Sequence, residues 1–165
     1  MIFIAAEENE YEVLKSLLLG PHSSYGSPMV CSTDTNNNTP LHIACEKGNL
    51  ESVKVLLRSE IIADARNEIE MTPLHRAATK GHVAVVKEMI RYGKRMKLDL
   101  IEDEDDDSNR PLHLACTNGH YNVARALLDA KADPDVRNVR HWTPMDCAAH
   151  GGLSLIHISE PTRPY

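Results

Sequence analysis

Four short segments recur in one register along this chain, and the interval between them limits the folds open to it. Thr39-Pro40-Leu41-His42 returns 33 residues later as Thr72-Pro73-Leu74-His75. Arg110-Pro111-Leu112-His113 follows after a further 38 residues, one period plus five inserted residues, and Thr143-Pro144-Met145-Asp146 after another 33. Gly48, Gly81, Gly119 and Gly152 keep step, six residues past each His or past Asp146. Such a period belongs to stacked supersecondary units, none of which buries its apolar face alone.

Each unit reads as a hairpin, an inner helix, a tight turn and an outer helix. Thr72 suits the N-cap and Pro73 the first helical position, where no backbone donor is needed. Leu74, Ala77 and Ala78 make a narrow inner helix, and Gly81 supplies the left-handed residue common just past a helix. Val85, Val86, Met89 and Ile90 then recur at helical spacing. The unit before repeats this with Leu41, Ala44, Cys45, Gly48, Val53, Leu56 and Leu57. The unit after does so with Leu112, Ala115, Cys116, Gly119, Val123, Leu127 and Leu128. At the N-terminus, Ile2 to Ala6 fill an inner-helix slot, Asn9 replaces the glycine, and Val13, Leu14, Leu17 and Leu18 mark an outer helix.

A 33-residue period built on T-P-L-H-x-A resembles the ankyrin repeat, and residues 1–152 carry the resemblance. It implies an all-α solenoid of helix-turn-helix repeats with short β-hairpin fingers, acting as a non-catalytic protein-binding module. The expected divisions are a partial repeat at 1–33, repeats at about 34–66, 67–104 and 105–137, and a partial repeat at 138–152. Met1 then falls inside a repeat whose hairpin is missing, as in a fragment of a longer chain. The family's D-x-x-G-x-T hairpin would put glycine at Asn37, Glu70, Ser108 and His141, and none of these is glycine. Asn tolerates positive φ; Glu70 and His141 do so less readily, which puts the turn geometry there in doubt. Arg110 replaces the capping Thr, a change expected to cost its helix ~1 kcal/mol.

Residues 153–163, LSLIHISEPTR, resemble one reading frame of a transposase-type sequencing adapter rather than a repeat, so 153–165 is set aside from the fold. A narrower resemblance covers Asn138-Val-Arg-His-Trp-Thr-Pro-Met-Asp-Cys-Ala-Ala149. It is similar to the N-x-x-x-W-T-P-L-D-C-A-A segment of invertebrate A-type transient receptor potential channels, which would place the repeats in the cytoplasmic part of a membrane protein.

Two segments break the period. A Gly-, Pro- and Ser-rich stretch between Leu19 and Asp34 reads as a loop. The five extra residues between Gly93 and Arg110 fall in a stretch that begins basic (Lys94, Arg95, Lys97) and ends in six acids, Glu102 to Asp107. The acids read as a solvated, self-repelling insertion, with recruitment of a basic partner as the alternative. Asp103, Asp105, Asp107 and Asn109 imitate the first ligands of a calcium loop, but Ser108 and Leu114 stand where that loop needs Gly and Glu.

The net charge of −6 argues against nucleic acid as the main partner, and no apolar run approaches the ~18 residues of a membrane span. His75/His82 and His113/His120 recur seven apart, but a glycine breaks the helix between them and no zinc motif accompanies them. The resemblance gives the first His of each pair a structural hydrogen bond between repeats. No metal, cofactor or catalytic constellation is indicated. The resemblance implies a protein partner, expected on the concave face of hairpin tips and inner helices. Candidates are Arg66, Glu68, Glu70 and Met71 on one tip, Arg137, Arg140, His141 and Trp142 on another, and Arg76, Thr79 and Lys80 on an inner helix. Trp142 reads either as an interface anchor or as packing against the neighbouring hairpin.

Cys45 and Cys116 occupy slots that the family fills with Ala, two repeats apart. With helix layers ~8–10 Å apart they are too distant for a disulfide, whose Cα atoms lie within ~7 Å. Buried, unpaired thiols suit a reducing, cytoplasmic compartment. Titration of the unfolded, non-reduced protein should therefore count Cys31, Cys45, Cys116 and Cys147 as four free thiols, and a count of two would overturn the register.

Overall fold

The computed structural model describes residues 1–19, 32–59 and 61–151. Gly152, Cys31, the adapter-like run and most of the Gly/Pro/Ser-rich loop lie outside them. The described residues form helices in inner–outer pairs. Inner helices are α1 (Ile2–Glu7), α3 (Pro40–Lys47), α5 (Pro73–Lys80), α7 (Pro111–Thr117) and α9 (Pro144–His150). Outer helices are α2 (Tyr11–Leu19), α4 (Leu50–Arg58), α6 (Val83–Met96) and α8 (Tyr121–Asp129). Each inner helix packs on the next inner helix, and each outer helix on the next outer one, in two parallel layers. No β-strand forms among the described residues; the fingers are hydrogen-bonded hairpin turns.

The helices begin where the repeated Pro allows. Thr39, Thr72, Arg110 and Thr143 are extended N-caps with ψ of 163–166°, each followed by Pro at the first helical position. Gly48 and Gly81 end α3 and α5 with φ of 77° and 80°, and Asn9 takes the same hand at 57°. A single stripe of small and aliphatic side chains fills the space between layers: Ala44, Cys45, Ala77, Ala78 and Ala115 inside, and Val53, Leu56, Val85, Val86, Met89, Val123 and Leu127 from the outer helices. Burying a large aliphatic side chain contributes roughly 1.5–3 kcal/mol, so this stripe supplies most of the cohesion. Val13, expected in the apolar face of α2, is instead 37% exposed, and Leu14 and Leu18 carry that contact.

The fingers repeat one local design. Asp34, Asn67, Asp105 and Asn138 each accept, through one side-chain oxygen, the backbone N–H groups two and four residues ahead. The third residue after each is left-handed: Asn37 at 60°, Glu70 at 57°, Ser108 at 54° and His141 at 62°. The hairpin thus survives at Glu70 and His141 without glycine, because the Asx side chain clamps both sides of the strained residue. Adjacent fingers are joined by Glu68 N–H to Asn36 O at 3.0 Å and Val139 N–H to Asp107 O at 3.0 Å. Side chains add Asn67 Nδ2 to Asn38 Oδ1 at 2.9 Å and Asn138 Nδ2 to Asn109 Oδ1 at 2.8 Å.

Two expectations about the inserted segment are corrected. The five extra residues lengthen a helix: α6 has 14 residues where α4 and α8 have 9. Tyr92 to Met96 continue it because Lys, Arg and Met favour helix, and Lys97 ends it at φ 58°. Nor is the acidic run a solvated, self-repelling loop. Glu102 and Glu104 pair with Arg110, Glu104 at 3.2 Å, and Asp103 pairs with Arg66 at 3.0 Å. Asp105 is buried as the clamp of its finger. Arg110, lacking the Thr hydroxyl, ties this run to the start of α7.

Two substitutions test this account by chemical denaturation. Asp105→Ala strips two backbone donors of their acceptor and should lower stability by ~1–3 kcal/mol. Glu70→Gly relieves a left-handed residue, a strain of ~1–2 kcal/mol, and should raise it. A neutral Asp105→Ala would return the acidic run to the status of a loose loop.

Candidate functional site

The repeated histidines form a relay between units. The backbone N–H of Thr39 donates to His42 Nδ1 at 3.0 Å, that of Thr72 to His75 Nδ1 at 3.2 Å, and that of Arg110 to His113 Nδ1 at 3.1 Å. With Nδ1 accepting, the ring proton sits on Nε2, which donates to the finger of the next unit. His42 reaches Met71 O at 2.9 Å, His75 reaches Asn109 O at 3.0 Å, and His113 reaches Trp142 O at 3.2 Å and Val136 O at 3.1 Å. Each acceptor at Met71, Asn109 and Trp142 is the residue just before the next N-cap. In the last unit Asp146 replaces the His and caps locally, accepting from Thr143 N–H and Oγ1, both at 2.8 Å.

The second histidine of each pair has a different task. His82 Nε2 meets Glu46 O at 2.8 Å and His120 Nε2 meets Thr79 O at 2.9 Å, each in the preceding unit. A Cβ on Gly48 or Gly81 would lie 2.5 Å from the ring of His82 or His120. Asn49 performs the same role one unit earlier, bonding Ala6 O and Glu7 O, both at 2.8 Å. The seven-residue spacing therefore reflects two interlocks per unit, one on each side of the glycine. No group of metal-ligating side chains occurs among the described residues.

Burial sets the protonation of these groups. Desolvation, reinforced by the nearby Arg76 and Arg66 charges, holds His42 and His75 down at about 4, with backbone hydrogen bonds and nearby Asp34 and Asp105 only partly offsetting it, and burial lowers His113 as well. The relay therefore works as neutral imidazole at pH 7. Desolvation also pushes the Cys45 thiol far up and Cys116 up to about 12. Both stay protonated, and neither is a nucleophile.

The concave face is lined by the fingers and the outward residues of the inner helices. Glu46 on α3 faces Arg76 and Lys80 on α5, at 3.6 and 3.8 Å. Arg66 is drawn toward the following unit, bonding Asp103 Oδ1 at 3.0 Å and Glu104 O at 2.6 Å, with Glu70 at 3.6 Å. Met71 is half-buried beneath its tip, while Glu68 stands exposed. On the last finger Arg137 props the turn by donating to His141 O at 3.0 Å. The Arg140 guanidinium lies 5.4 Å from the Trp142 ring centre, and that ring lies 4.4 Å from His150. Trp142 thus stacks on residues of its own unit. Val139 and Met145 beside it are 54% and 45% exposed. The eleven candidate residues do not converge on one spot: Arg66, Arg76, Lys80 and Arg137 are held by internal bonds, and among these candidates only the last finger gathers a cation, an aromatic ring and exposed apolar surface. Val139, Met145 and His150 were missed from sequence, though Met145 could be found as the residue after the N1 proline of α9.

Residues 2–100 match a family model described as ankyrin repeats (3 copies), and residues 100–148 one described as ankyrin repeats (many copies). The chain belongs to the ankyrin repeat family. A comparison with curated proteins finds no match. Ankyrin repeats are protein–protein interaction modules, generally without catalytic activity. No described helix of this ankyrin chain is long and apolar enough to cross a membrane.

The relay makes a pH prediction. The unfolded histidines titrate near 6.5, whereas folded His42 and His75 do so at about 4. The unfolded chain binds more protons between these values, so their contribution is full above pH 6.5 and is lost as pH falls towards 4. Each unit of depression corresponds to ~1.4 kcal/mol. Denaturation midpoints should fall steadily from pH 7 to 4.5, and His75→Gln should be less stable at pH 7 yet show a shallower slope. A variant with the parental slope would remove His75 from the relay.

Proposed function

We propose that this chain recognises a protein partner through the concave face, with the last finger as its anchor. The supporting observation is the Arg140–Trp142–His150 stack, bordered by exposed Val139 and Met145. Rigid aromatic and arginine side chains beside apolar surface are the composition of interface hot spots. Arg66, Glu68, Glu70, Met71, Arg76 and Lys80 extend the face along the preceding units and set its charge pattern. The unit divisions at 1–33, 34–66, 67–104, 105–137 and 138–152 define that surface as one continuous binding strip. Inert, buried thiols favour a cytosolic setting.

A second reading concerns the parent protein. The likeness of Asn138–Ala149 to A-type transient receptor potential channels favours a cytosolic repeat domain of a cation channel, of which this chain is a fragment, with 153–163 derived from adapter sequence. Six transmembrane helices and a pore loop downstream in the gene would support the channel, and their absence would leave a scaffold or adaptor. A native genomic LSLIHISEPTR would end the adapter reading.

The binding reading is tested with Val139→Asp and Arg140→Glu together, since neither side chain holds a structural hydrogen bond. Partner capture should fall at least about tenfold, as for removal of a hot spot, with helical circular dichroism unchanged. Capture equal to that of the parent would remove the last finger from the interface.

A further inference from the structure

The lengthened α6 opens a second surface, away from the inner-helix face. Its extra turn stands beside the segment that follows α4, and the two enclose a groove of about 620 Å3. Leu57, Ile61, Tyr92 and Leu98 line its floor, with Ile62 and Met96 on the walls. Ile62, Met96 and Leu98 are 55%, 51% and 39% exposed, a concentration of apolar surface at one place. A smaller depression of about 240 Å3 lies on the other side of α6, between Gly93 and Leu100.

The rim is basic although the chain is acidic overall. Arg58 and Arg95 edge the groove, and Lys94 and Lys97 edge the depression. Arg58, Lys94 and Lys97 have no ion-pair partner among the described residues, and Arg95 rests on the Tyr92 ring at 5.3 Å. Asp64 also lines the groove, and Asp99 the depression. Elsewhere on this chain cations are mostly consumed internally, as at Arg66, Arg76 and Arg110. Arg58 and Arg95, neither in an ion pair among the described residues, edge this apolar floor and complement a ligand that is anionic at its edges and apolar at its centre. The recess favours an inserted side chain over a flat lipid surface, and its one ring, covered by Arg95, is a poor stacking platform for bases.

We infer that the groove between the C-terminal ends of α4 and α6 docks an acidic peptide segment, seating aliphatic or aromatic anchors on Leu57, Tyr92 and Leu98 and its carboxylates on Arg58 and Arg95. The five-residue insertion creates the site, because Tyr92, Arg95 and Met96 belong to the added turn. The site is independent of the concave face.

Selection of random twelve-residue displayed peptides on the full chain tests this directly, with counter-selection on Arg58→Glu/Arg95→Glu. Enriched peptides should place Asp or Glu around Leu, Ile or Phe. A synthetic winner should bind the charge-reversed protein about tenfold or more weakly, and lose affinity as salt screens the pairs. Ile62→Ser/Met96→Ser should weaken it too, whereas Val139→Asp/Arg140→Glu should leave it unchanged. Enrichment without acidic residues, equal binding to the charge-reversed protein, or loss through the last finger alone would overturn the proposal. So would phosphatidylserine vesicles binding through the same four residues while no peptide is enriched, which would make the patch a lipid contact. A concentration-dependent dimer abolished by Met96→Ser would likewise assign the groove to a second copy of the chain.

Discussion

The neutral imidazole buried at the start of α3, α5 and α7 is the interaction on which this stack depends. One ring nitrogen holds the N-cap amide of its own helix, and the other holds a carbonyl of the next finger. A helix start, a finger and a unit boundary are thereby fixed by one side chain. Losing it would leave an N–H and a C=O unpaired in a buried place, each costing ~1–3 kcal/mol. The apolar stripe provides more energy, but it is non-directional and tolerates sliding. The imidazole determines register. Coupling between neighbours alone is what makes such arrays behave as nearly one-dimensional systems, and in this chain the coupling has an atomic identity at His42, His75 and His113.

The second interlock explains why the glycines recur. Gly48 and Gly81 supply left-handed turns, as other residues also do here at Asn9 and Lys97. What those positions additionally require is the absence of a Cβ, because the imidazole of His82 or His120 occupies its place. Conformation and space therefore act together, and a left-handed Asn suits position 9 because the residue above it is Asn49, not a ring.

Much of the fold was legible because T-P-L-H and Gly act locally: cap, first turn, stop. The features that escaped sequence reading are those in which the partner is distant or the residue type is ambiguous. Asp34, Asn67, Asp105 and Asn138 align in register, but Asp and Asn are common in any turn, so the pattern alone does not distinguish a clamp at the base of the finger. Asp105 was obscured further, since a functional Asp within six consecutive acids looks like part of a charge run. Arg66 and Arg110 neutralise that run from 37 residues before Asp103 and 6 residues after Glu104, a pairing that only the stacking of units brings about. Among the candidate binding residues, exposure of a finger was readable, whereas the capture of Arg66 and Arg137 by their own surroundings was not. Trp142 lay between two readings that the sequence left open, and its stacking on His150 depends on the path of α9.

The segment from 93 to 107 also shows why charge blocks need not behave as blocks. Its basic half continues a helix, where cations in the last turn favourably meet the negative end of the helix dipole. Its acidic half enters a finger, where carboxylates accept backbone donors and arginine forks. Identical solvent-exposed charge would repel in an isolated peptide, yet each half finds a backbone feature of the opposite polarity. The cost of five inserted residues is thus absorbed without breaking the relay, since His75 still reaches Asn109 across them. The insertion changes the outer surface of one unit while the inner face keeps its period. A repeat array can consequently acquire a second, chemically distinct surface at a single unit, because the interactions that hold register run through the inner helices and fingers and leave the ends of the outer helices free to vary.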